Sequence, residues 1–117
     1  MNTVLDKNMI PPGNIEPYFF INSIRNAAIL NEFTWCDNFI GKFKDRLNKD
    51  RLNETVSYSN ALVEFYRKNY ENALKHISTF NTERSTLKTE FRNIQLMIFY
   101  ELNYTDELLS LIDSYKH

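Results

Sequence analysis

FYRKNY at residues 65–70 returns as FYELNY at residues 99–104, with Phe, Tyr, Asn and Tyr in the same places. Downstream of the first copy, Tyr70, Ala73, Leu74, Ile77 and Phe80 fall at the i, i+3, i+4, i+7, i+10 spacing of one helix face. An active-site motif used twice would not need such flanks. A seam between two paired helices does, because an aromatic residue in the turn wedges between them and a small residue one turn later lets them approach. A third seam fits at Phe33: Phe33, Tyr70 and Tyr104 lie 37 and then 34 residues apart. Three residues after each come Cys36, Ala73 and Glu107, and four further on come Ile40, Ile77 and Leu111.

The chain of 117 residues is one domain by length, with room for about three helical hairpins of roughly 34 residues. Two glycines and three prolines are too few for the turns of an all-β chain, so the fold class is all-α, with about six helices in three pairs. PPGNIEP, residues 11–17, should keep the backbone out of helix until about Glu16. Residues 1–14 are therefore expected as an irregular lead-in, and 15–117 as one helical domain with hairpins at about 15–47, 48–80 and 81–117.

The first helix is expected from about Glu16 to Asn31, with Phe20, Ile24, Ala27 and Ala28 on one side. The second starts near Thr34, capped by Thr34 with Asp37 three residues on, and carries Trp35, Cys36, Phe39, Ile40, Phe43 and Leu47 as one stripe. The third opens near Asn48 and ends around Lys68; the fourth runs from about Tyr70 to Phe80. The fifth, about Ser85 to Leu102, holds IQLMIFY, apolar almost all round and so expected in the middle of the molecule. Thr105 should cap the sixth, whose buried stripe would be Leu108, Leu109, Leu111, Ile112 and Tyr115.

The period and the seam positions resemble the tetratricopeptide repeat, over about residues 15–117. LVEFYRKNYENALKHISTF looks like the second half of one repeat, and FYELNYTDELLSLIDSY is similar to tetratricopeptide-like segments of large bacterial proteins. The resemblance implies a right-handed αα-hairpin superhelix. In stacked hairpins each repeat contacts its neighbours, and the first helix of each pair lines a concave face. That face would carry Tyr18, Ile21 and Arg25, then Tyr58, Leu62 and Tyr66, then Arg92, Leu96 and Phe99. Tyr18, Arg25, Tyr58, Tyr66 and Arg92 are the candidate protein-binding residues, since Tyr and Arg are favoured anchors of protein interfaces.

Signs of catalysis are sparse. With only Gly13 and Gly41 there can be no P-loop, no dinucleotide-binding fingerprint and no G-x-S-x-G elbow. His76 and His117 lack convergent ligands for a metal. Cys36, the one cysteine, sits on an apolar stripe, as a small core residue would, and excludes a disulfide within the chain. The expectation is a non-enzyme without cofactor that works as a protein-interaction or assembly scaffold.

Charge yields the alternative. The net charge is −1, which argues against nucleic acid as a partner. Residues 42–51, KFKDRLNKDR, nevertheless gather Lys42, Lys44, Arg46, Lys49 and Arg51, and an RNA-binding helical repeat would use them. No apolar run reaches membrane-spanning length and no signal peptide opens the chain, so a cytoplasmic protein is expected. Both ends carry apolar residues, as in a piece of a longer solenoid or a solenoid that self-associates end to end; the partner is expected to be a protein or peptide segment.

Overall fold

The computed structural model of the protein describes residues 13–78 and 81–115. Within them the chain forms six α-helices and no strand: α1 (Pro17–Ile29), α2 (Phe33–Phe43), α3 (Lys49–Tyr66), α4 (Tyr70–Ser78), α5 (Lys88–Glu101) and α6 (Thr105–Tyr115). Short 3-10 turns at Lys44–Arg46 and Thr82–Arg84 fill two of the connections. The expected lead-in up to Pro12, the end of α4 at Phe80, the Tyr115 side chain and His117 lie outside the described residues. Gly13 and Asn14 are non-helical, and α1 begins with Pro17 in its first position, where a missing N–H costs nothing. The Glu16 carboxylate caps it by accepting from the Phe19 amide at 3.0 Å.

Three turns share one backbone geometry. Asn31, Lys68 and Asn103 each adopt a left-handed conformation, with φ of 61, 70 and 59°. Around each, two amides turn back onto the helix just ended. Asn31 N donates to Ala28 O and Glu32 N to Ala27 O; Lys68 N to Phe65 O and Asn69 N to Glu64 O; Asn103 N to Tyr100 O and Tyr104 N to Phe99 O. These paired bonds are the Schellman closure of a helix C-terminus. The second residue of each closure then opens the next helix, because the carbonyls of Glu32, Asn69 and Tyr104 accept from Cys36, Ala73 and Leu108.

This backbone register corrects the alignment of the seams. The left-handed residues lie 37 and then 35 positions apart, so Leu108, not Glu107, corresponds to Cys36 and Ala73. FYRKNY and FYELNY mark the same turn but are displaced by one residue: the left-handed position is the fourth letter of the first copy and the fifth of the second. The same geometry explains why the expected caps do not form. Helix α2 starts at Phe33, one residue before Thr34, and its N-cap residue Glu32 makes no side-chain capping bond. Thr105 likewise lies inside α6 as its first residue. A Schellman closure dictates where the next helix starts, whatever hydroxyl stands nearby.

Packing runs from α1 onto α2 and α3, from α3 onto α4 and α5, and from α5 onto α4 and α6. One core cluster joins Phe20, Ile24, Ala27 and Ala28 of α1 to Trp35, Cys36, Phe39 and Ile40 of α2, with Val63 of α3. Its rings are continuous: Phe39 lies 5.0 to 5.1 Å from Phe20, Trp35 and Phe43. A second cluster joins Ala61 and Leu62 of α3 and Ala73 and Ile77 of α4 to Leu87, Phe91, Ile94 and Ile98. The result is elongated, 47 × 29 × 21 Å.

Two expectations about the last pair of helices fail. IQLMIFY is not buried all round: Ile94 and Ile98 are fully covered, but Met97 and Tyr100 are 41 and 69% exposed. The stripe of α6 is not buried either, with Leu108 and Leu111 half-covered and Leu109 and Ile112 exposed. In the described residues no further helix stands where α3 covers the first hairpin and α5 the second.

Candidate interaction surface

The first helices α1, α3 and α5 are tied together along one side. Arg25 of α1 donates from Nη2 to the Tyr58 hydroxyl of α3 at 3.1 Å, and from Nη1 to Asn22 Oδ1 at 2.9 Å. Tyr58 sets its ring edge-on against Phe91 of α5, 5.5 Å between centroids. Tyr18 of α1 reaches Glu90 of α5, its hydroxyl donating to Oε1 at 3.1 Å. Tyr18, Arg25 and Tyr58 are thus brought together with Glu90 and Phe91, residues that α5 contributes.

Their exposures differ. Tyr18 is 45% exposed and Arg25 is half-buried, whereas Tyr58 is 4% exposed, so its ring belongs to the core. Ile21 and Leu62 are buried as well, and Leu96 and Phe99 are half-buried. Tyr66 is half-buried and packs against both clusters, edge-on to Phe65 at 5.4 Å. Arg92 of α5 donates from Nη2 to both Glu83 oxygens at 3.2 Å and holds the 3-10 turn Thr82–Arg84 against α5.

Ionisation follows these contacts. The hydrogen bond to the Glu90 carboxylate, followed by burial, holds the Tyr18 phenol above its ordinary value. Burial raises Tyr58 despite the Arg25 guanidinium beside it. Hydrogen bonds from Lys88 and Arg92 hold the Glu83 carboxyl low. Cys36 is buried, its thiol donating to Ile24 O at 3.6 Å, and burial pushes its pKa up to about 11. Such a thiol stays protonated at neutral pH, the opposite of an activated nucleophile.

The basic stretch is largely engaged in structure. Arg46 donates from Nε to Gly13 O at 2.9 Å and, with Lys42, sits over the Phe43 ring at 5.6 and 5.5 Å. Arg51 pairs with Glu54 at 3.0 Å. Lys44 and Lys49 are exposed. Sequence pattern did not single out Glu54, a buried carboxylate of α3. It accepts from the Ser85 and Thr86 hydroxyls, the latter at 2.9 Å, and from the Leu87 amide at 3.3 Å. The run NTERST signalled that caps were at hand, but the acceptor comes from another helix some thirty residues earlier.

Among the described residues, no three His, Cys, Asp or Glu side chains converge as a metal would require, and no helix is long and apolar enough to cross a membrane. Comparison of the chain with protein-family models, curated proteins and solved structures gave no match in any of the three.

Proposed function

We propose that the chain is a non-catalytic protein-binding or assembly scaffold built of tetratricopeptide-like hairpins stacked in a right-handed superhelix. The observation that carries this is the threefold seam, with the same pair of closing hydrogen bonds and the same first bond of the next helix each time. Side chains repeat with it. Arg67, the residue after α3, stands 5.3 Å over the Phe33 ring and pairs with Asp37 of the preceding hairpin. Leu102, the corresponding residue after α5, lines a shallow pocket with Tyr70, the counterpart of Phe33. Units joined in this way offer a continuous surface to a protein segment. A cytoplasmic setting agrees with a lone buried cysteine.

The face along α1, α3 and α5 is the proposed binding surface, with Tyr18 and Arg25 as its accessible anchors. Tyr58 is the wrong residue to truncate, because removing a buried ring costs about 3–5 kcal/mol in folding whatever its role in binding. The test is affinity capture from the source cell's lysate, with and without nuclease, comparing the wild type with a Tyr18→Ala/Arg25→Ala double variant. A discrete protein that survives nuclease and is lost from the folded variant is the expected result. Equal capture by both refutes this face, and material released by nuclease and by salt would transfer the function to RNA and the 42–51 stretch.

A further inference from the structure

The outer face of the third hairpin is apolar. Met97 and Tyr100 of α5 and Ile112 of α6 are 41, 69 and 39% exposed, and with Leu108 they line a groove of about 430 Å³. The seam register shows what these positions do elsewhere in the chain. Counted from the left-handed residue, Met97, Tyr100, Leu108 and Ile112 correspond to Leu62, Phe65, Ala73 and Ile77 of the second hairpin. There they pack in one cluster with Leu87, Phe91, Ile94 and Ile98 at the start of and along α5. In the first hairpin the same register reaches Arg25, Ala28, Cys36 and Ile40; the last three share a cluster with Leu52, Val56 and Val63 of α3, and Arg25 donates to Tyr58 of α3.

The covering stripe has a fixed spacing. Leu87, Phe91, Ile94 and Ile98 fall at i, i+4, i+7 and i+11; Leu52, Val56, Ser59 and Val63 repeat it one hairpin earlier. A surface that is covered twice by such a stripe is thus presented a third time. Its charge is one-sided: residues 93–115 contain Glu101, Asp106, Glu107 and Asp113 and no Lys or Arg, and Glu101 lines the groove itself.

Resting on the stacked-hairpin reading above, we propose that this face docks one amphipathic helix of a partner protein, apolar at i, i+4, i+7 and i+11 and basic along its flanks, seated as α5 sits on α3 and α4. Helix α1 of a second copy does not present that stripe. In α1 the corresponding positions are Ile15, Phe19, Asn22 and Asn26: Ile15 is already buried, and the two asparagines are polar and exposed. Two such faces turned on each other would oppose acid to acid.

The probe is a labelled synthetic helix of leucine and lysine with leucine at those four spacings, titrated into the full chain and read by fluorescence anisotropy beside a scrambled peptide of the same composition. The expected result is saturable binding at least about tenfold tighter than the scramble, weakened about tenfold or more by Ile112→Glu. Tyr18→Ala should leave it unchanged, so the result stands independently of the α1–α3–α5 surface. Should Ile112→Glu lose its helical circular dichroism, Met97→Glu carries the comparison. Equal affinity for both peptides, or unchanged affinity in a folded groove variant, overturns the proposal. So does a concentration-dependent dimer abolished by Ile112→Glu, which would assign the face to a second copy.

Discussion

Among the described residues, Glu54 is the charged side chain that the fold buries. It is 6% exposed on α3, and burial alone would raise its pKa. Hydrogen bonds from Ser85 and Thr86, the Arg51 charge and the Leu87 amide outweigh burial and hold the carboxyl below its ordinary value. A depressed carboxyl contributes stability that is complete above the unfolded-state value and is lost as pH falls through the folded one. Glu54→Gln should therefore destabilise the protein at neutral pH by about 2–3 kcal/mol, the scale of hydrogen bonds to a charged group. In acid, where the wild-type carboxyl is also protonated, the gap should narrow. Urea midpoints measured across that range check both claims; a variant whose deficit is independent of pH would show that shape, not charge, makes Glu54 matter.

Among the elements, the turns decide the fold, and each imposes a conformation that only glycine adopts without cost. Asn31 and Asn103 tolerate the left-handed region because their short polar side chains bond locally, whereas Lys68 at φ 70° has no such relief. Lys68→Gly should raise stability by about 1 kcal/mol, a few degrees in Tm, and Asn103→Gly by less. Thermal unfolding of the two variants would reveal it, and equal gains would mean that the lysine is not strained. The seams were legible in the sequence because an aromatic residue stands beside each, Phe33, Tyr70 and Tyr104. Their register was not, since FYRKNY and FYELNY share Phe, Tyr, Asn and Tyr in the same places while the backbone is displaced by one residue, and no glycine marks the turning point. The stripes of α1 and α2 were legible because Phe20, Ile24, Ala27 and Ala28, and then Trp35, Cys36, Phe39, Ile40 and Phe43, recur at helical spacing, and all of these residues are buried. The last two helices misled because IQLMIFY and LLSLI are apolar enough to read as core, and periodicity reports which side of a helix seeks cover, not whether cover is present. Of the candidate surface, sequence could place Tyr18, Arg25 and Tyr58 on first helices but not tell an exposed Tyr18 from a buried Tyr58; that depends on Phe91, which a distant part of the chain brings in.

At the scale of the molecule, stability should grade from one end to the other. Local stability follows how much apolar surface the neighbouring helices cover. Helices α1 and α2 lie in a continuous ring-rich core, α3 and α5 share the second cluster, and α6 contributes no fully buried side chain among the described residues. Native-state hydrogen exchange should accordingly find the α6 amides opening first, at a free energy well below that of α3, with α1 and α3 exchanging only through global unfolding. The basic amphipathic peptide should slow exchange in α6 and along Met97–Tyr100 of α5 while leaving α1 and α2 unchanged, because covering the third hairpin gives α6 the neighbour that α2 and α4 already have. Uniform protection along the whole chain without peptide would mean that α6 folds in one cooperative unit with the rest, and that its uncovered apolar face costs the molecule nothing.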